Sequence, residues 1–279
     1  MRNSTRALLL LLFMAPPLVA WGDQGHRVVS TLALEGLPAG VHAWYAGHES
    51  EVEDHASDPD HWRNDRKEGP RHFLDVEPYG GADHLPRTLE EAQTMLGGDY
   101  YRRGVVPWII QDRWRDLVDA FKSGDASRVA MATSILSHYV ADAHVPLHTT
   151  ENHDGQATNQ RGVHSRWESG LVERYLRAEA IKALPAEADP RIMERPWDWL
   201  RTSHALVPQL LEDDRSADRT TPMDGQRKQR TQAYWMIFWA KQGPVVKGQL
   251  QLAGKHLGDA ILTAWIAAGK PAGPAKPAH

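Results

Sequence analysis

Three histidines and an aspartate fall within one short stretch, SHYVADAHVPLH, from Ser137 to His148. These are the residue types that bind metal ions or move protons. In a helix His138 and Asp142 stand four residues apart, so their side chains stack on one face and can grip one ion. Pro146 opposes continuation of that helix, which puts His148 just past its end, where a turn can bring it back to the same site.

Three further groups extend the set. GVHSRWES places His164 and Glu168 four residues apart, again one helical turn. ASDPDHWR supplies Asp58 and Asp60, with His72 following in RHFLDVEP, and WGDQGH places His26 five residues after Trp21. Each has an ordinary reading too: Asp-Pro-Asp is turn chemistry, a terminal histidine can be flexible and exposed, and His138 alone can be a hydrogen-bonded core residue. Two His-carboxylate pairs on separate helices make the ordinary reading poor for the set. The chain has no cysteine, so the ligands are imidazole nitrogen and carboxylate oxygen, a donor set that suits Zn²⁺. A carboxylate such as Asp142 has two oxygens and can bridge two ions.

The elements that must position these residues are helical. GVVPWIIQDRWRDLVDAFKS, from Gly104 to Ser123, sets Trp108, Ile109, Trp114, Leu117, Val118 and Phe121 near one stripe. The same period predicts helices at Ala126 to Ala143, Val163 to Ala180, Trp197 to Leu211, Thr220 to Lys241 and Val245 to Ala268, with their tryptophans in the core. His72 to Val76 is the one short extended piece, and no run supports a sheet. The expected fold class is all-α, in a single domain over residues 21–268. The Pro-, Gly- and Ala-rich residues 269–279 are expected to be a disordered tail.

The first twenty residues read as a signal peptide: Arg2 and Arg6, an apolar run from Ala7 to Ala15, then a small-residue cleavage site at Ala20. The expected destination is secreted or periplasmic, with Trp21 as the new N-terminus. No segment has the roughly 18 uninterrupted apolar residues of a transmembrane helix. Without cysteine an exported chain has no disulfide framework, so its core, and any bound metal, must hold it together. The net charge of -4 becomes more negative when Arg2 and Arg6 leave, which argues against duplex binding through a broad cationic face.

The ordered set WGxxGH, ASxxDxxR, HFLD, HxxxDxxxxxH and HxxxE resembles the trinuclear-zinc phosphodiesterases, which comprise single-strand-specific nucleases and bacterial zinc phospholipases C. The resemblance spans nearly the whole mature chain. It implies three Zn²⁺ ions: one held by the Trp21 amine and carbonyl, His26 and Asp142; a close neighbour held by Asp60, His72, His138 and Asp142; and a third by His148, His164 and Glu168. Asp60 is preferred to Asp58 because Arg63 then sits three residues on, where the nucleases carry a phosphate-stabilising arginine. Asp60 and Arg63 are thus the implied catalytic residues. Phe73 and Asp75 match positions that stack and hydrogen-bond a base.

The resemblance further implies hydrolysis by a metal-activated water with no side-chain nucleophile. The leading reading is a nuclease acting on single-stranded DNA or RNA, with possible release of 3'-phosphate from nucleotides. The alternative substrate is phospholipid, because Glu168 stands where the nucleases place Asp. A third reading is a non-catalytic zinc-binding scaffold. No protein partner is implied.

Overall fold

The computed structural model describes residues 21–62, 65, 67–177, 181–220 and 230–273. The expected signal peptide, Arg63 and residues 274–279 lie outside the described residues. Among those described the α-helices are, in order, α1 (Gly22–Glu35), α2 (Ala39–His42), α3 (Glu49–Asp54), α4 (Leu89–Leu96), α5 (Val106–Ser123), α6 (Ala126–Asp142), α7 (Val163–Ser165), α8 (Leu171–Tyr175), α9 (Arg195–His204), α10 (Val207–Thr220) and α11 (Gln232–Ala267). Short 3₁₀ turns join them, and no strand is present among the described residues. The all-α expectation holds.

The chain reverses sharply between α5 and α6. Gly124 takes the left-handed conformation that closes α5, with φ of 74°. Asp125 then caps α6, its side chain accepting from the backbone N–H groups of Ser127 and Arg128. From Thr133 to Asp142 every residue of α6 is buried, since α1, α3, α5 and α11 all pack against it. A helix enclosed on all sides must pair its polar groups internally. Ser30 and Ser137 share a hydrogen bond at 2.8 Å, Tyr45 and Thr133 another at 2.8 Å, and Ser134 donates to the Val52 carbonyl at 2.9 Å.

Several helix boundaries differ from the periodicity. The expected helix at Trp197 to Leu211 is two, α9 and α10, because Pro208 has no N–H to continue α9 and suits the first turn of a new helix. The expected break near Gly243 and Pro244 does not occur, and α11 runs through Pro244 for 36 residues. Helix α1, which the periodicity left unread, packs along α11 and α6. Val163 to Tyr175 forms one helical run with a π-turn at Arg166–Gly170. At the tail the Trp265 indole donates to the Pro271 carbonyl at 3.0 Å, so the first residues of that segment fold back on α11.

His72 to Val76 runs extended without forming a sheet. Leu74 and Val76 donate their N–H groups to the carbonyls of His148 and Thr149, at 3.0 and 3.1 Å. These bonds tie the segment after His72 to the turn that carries His148.

Candidate metal centre

Asp142 closes α6 fully buried, and its two oxygens face different partners. Oδ2 lies 2.8 Å from His72 Nδ1 and 3.2 Å from His138 Nε2. Oδ1 lies 3.8 Å from His26 Nε2 and 3.6 Å from His148 Nδ1. Asp60 adds an oxygen 3.7 Å from His72 Nδ1 and 3.8 Å from His138 Nε2. Beyond His148, the Glu168 Oε2 lies 3.6 Å from His148 Nε2 and 2.9 Å from His164 Nε2. Two ligands of one tetrahedral zinc ion stand about 3.3 Å apart, so these separations suit ion binding.

Each ligand candidate comes from a different local device. His26 sits on α1, whose start depends on two glycines. Gly22 has φ of +54°, and a Cβ on Gly25 would stand 2.9 Å from the Trp21 side chain. Asp60 and His72 lie on the 3₁₀ turns Asp58–His61 and Gly69–His72, and His148 on the turn Pro146–Thr149. The π-turn carries Glu168 and is the kind of local widening that marks functional sites.

Many polar atoms of this cluster make no hydrogen bond. Both ring nitrogens of His26 and of His164, both oxygens of Glu168, His148 Nδ1, Asp142 Oδ1 and Asp60 Oδ2 are buried without an aligned hydrogen bond, although several stand close to one another. His138 Nδ1 donates to the Ala56 carbonyl at 2.9 Å, so in the neutral ring Nε2 turns a lone pair toward the carboxylates of Asp142 and Asp60. Lone pairs facing carboxylates repel unless a cation lies between them. The donor set therefore fits metal ions, in three groups: His26, His138 and Asp142; Asp60, His72 and His138; His148, His164 and Glu168.

Titration behaviour follows the same crowding. Burial raises the Asp60 carboxyl to about 6, against the pull of His138. Burial also opposes charge on Asp142, but His138 and His148 outweigh it and hold this carboxyl well below the usual range. Burial, then the neighbouring His138, holds His26 well below its ordinary value. His72 loses basicity by burial and regains more from Asp142 and Glu68, reaching about 10. A strongly held proton there balances charge that a cation would otherwise balance.

The remaining expected residues divide. Phe73 is not part of the buried apolar core; it lines a cavity of about 560 Å³ together with Asp60, Trp62, His72, Leu147, His148 and His164. Asp75 is buried outside that lining, with Arg103 3.6 Å away, and burial followed by the charge of Glu151 raises it to about 7. Asp58 pairs with His55 at 2.8 Å near the surface, leaving Asp60 as the carboxylate of the cluster. The Trp21 indole is buried and donates to the Ala141 carbonyl at 2.8 Å, one residue before Asp142. Arg63 lies outside the described residues.

His144, the middle histidine of the opening stretch, turns away. Its Nδ1 donates to the Val140 carbonyl at 2.7 Å, and its Nε2 lies 2.7 Å from His256 Nδ1. Among the residues bordering the cavity that sequence reasoning missed are Glu68, Trp62 and His153. Only Glu68 left a signal, since it stands four residues before His72.

No curated protein sequence matches the chain. A model of the S1/P1 nuclease family matches residues 21–265.

Proposed function

The chain belongs to the S1/P1 nuclease family, which makes it a nuclease-type phosphodiester hydrolase, and on that premise we propose a single-strand-specific endonuclease that works with three zinc ions. The observation that carries this reading is the divided carboxylate of Asp142. One oxygen faces His72 and His138, the other His26 and His148, as a bridge between two ions requires. His164 and Glu168, with His148, would hold the third ion. Bound zinc supplies Lewis acidity toward phosphoryl oxygens and an activated water.

The chain's own residues then orient the substrate. Phe73 offers a flat apolar face in the cavity beside His72, worth roughly 1–3 kcal/mol per stacked base. Stacking needs a base free of its duplex partner, which favours single strands. Asp75, two residues beyond Phe73 and behind the cavity lining, would hydrogen-bond the edge of a base that reaches past Phe73, and Arg63 would donate to the phosphoryl oxygens as charge builds there. Loss of a signal peptide after Ala20 would free the Trp21 amine as a ligand and place the enzyme outside the cytoplasm. The family match begins at that residue, which supports this reading. It gives no support to the phospholipid alternative.

Purified mature protein assayed in parallel on single-stranded DNA, RNA, duplex DNA and phosphatidylcholine tests the proposal. Single strands should be cut fastest, and a chelator should abolish the cutting. Turnover of phosphatidylcholine but not of DNA would overturn it. Phe73→Ala should raise KM for single-stranded DNA about ten- to a hundredfold while sparing a small base-free phosphodiester; equal losses on both would assign Phe73 to the fold.

A further inference from the structure

Glu68 is buried at the wall of the cavity, yet it matches none of the implied ligand positions. Its two oxygens face three donor groups. Oε1 accepts from the Tyr139 hydroxyl at 2.5 Å and lies 3.3 Å from His72 Nε2, while Oε2 accepts from the Arg71 guanidinium at 2.6 Å. Arg71 and Tyr139 are the chain neighbours of His72 and His138. One carboxylate thus grips one ligand candidate directly and touches the residue next to each of two.

The His72 ring makes the arrangement directional. Nε2 faces Glu68, and Nδ1 faces Asp142, Asp60 and, at 2.9 Å, His138 Nε2. A proton held on Nε2 by Glu68 leaves the Nδ1 lone pair for an ion. The opposite tautomer would set a Glu68 oxygen against a ring lone pair and aim an N–H at the cation. His72 also sits at the end of a four-residue 3₁₀ turn followed by extended chain, so little local backbone structure fixes its ring.

We propose that Glu68 is a positioning residue of the metal pair: with Tyr139 as its second donor, it fixes the tautomer and the ring plane of His72 so that Nδ1 is presented to the ion. The proposal rests on His72 being a metal ligand and is independent of the substrate. Gln at position 68 is a poor replacement. It has one acceptor oxygen for three donors, and its amide N–H groups would face Arg71 or His72.

The test is a zinc competition titration of the mature protein against a chromogenic chelator, which reads affinity without activity. Glu68→Gln should release zinc from the Asp60, His72, His138 and Asp142 site at about ten- to a hundredfold lower chelator, while the equivalent held by His148, His164 and Glu168 stays bound. Tyr139→Phe should give a smaller loss at the same site, and Glu68→Asp should recover part of it. If both Glu68→Gln and Tyr139→Phe hold zinc as the parent does, the positioning role is wrong. If every equivalent leaves together with helical circular dichroism, Glu68 serves the fold and the proposal also fails. A parent that holds no zinc would overturn the ligand reading of His72 itself.

Discussion

Asp142 carries more of the proposed chemistry than any other residue, because each of its oxygens meets two imidazoles. Asn keeps the shape but offers one neutral acceptor and one N–H donor. Asp142→Asn should therefore lower phosphodiesterase activity by more than about a hundredfold and reduce the zinc content of purified protein. Full zinc with near-parental turnover would remove the bridging role. Asp75 gives a pH test. Its folded carboxyl titrates near 7, above its ordinary 3.8, because burial and Glu151 oppose its charge. Between those values the unfolded chain has lost the proton and the folded chain keeps it, so stability falls as pH rises through that window. Asp75→Asn removes that slope. The variant should gain melting temperature relative to the parent at pH 8 compared with pH 5, and a pH-independent difference would show that Asp75 does not titrate in this way.

At the scale of elements, the site depends on tight backbone contacts more than on helix length. Gly104, just before α5, has φ of +92°, and a Cβ there would stand 2.1 Å from the Phe73 carbonyl oxygen. That same carbonyl accepts from the Val106 N–H at 3.2 Å, while Asp75 N–H donates to the Arg103 carbonyl at 2.7 Å. The close approach of these two segments fixes the chain that follows His72. Gly104→Ala should cost about 2–4 kcal/mol, read as a melting temperature lower by on the order of 10 °C. A shift below a degree would mean that the two segments part without penalty.

Over the whole molecule, the candidate ligands are spread from His26 to Glu168 along the chain and meet around the buried end of α6. Their unpaired atoms lie inside a fold that has no disulfide to hold it. Ions that bind only the folded chain add their binding free energy to its stability, about 4 kcal/mol for a site held at a thousandfold excess over Kd. Chelation should lower the melting temperature by on the order of 10 °C, and zinc should restore it. An unchanged melting curve after complete metal removal would mean that the cluster is satisfied without ions.

The sequence alone determined the helical class and the chemical character of the site. Periods of apolar residues and pairs such as His138 with Asp142 or His164 with Glu168 are local, and a helix fixes their geometry whatever surrounds it. It also carried the ordered motifs that bring Asp60, His72 and His26 into the set. Other features were not legible because their cause is contact between distant segments. Asp58 and Asp60 are equivalent in a turn until His72 and His138 pack beside one of them. Phe73 reads as a core or a surface aromatic until the cavity forms around it. His144 and His148 look alike in SHYVADAHVPLH, yet His256 on α11 claims the first and Glu168 meets the second. Glu68 becomes meaningful only when Tyr139 and His72 close on it from separate elements. Spacing along the chain decides which side chains a helix can pair, whereas tertiary packing decides which lone pairs remain inside without a hydrogen, and those are the ones left for an ion.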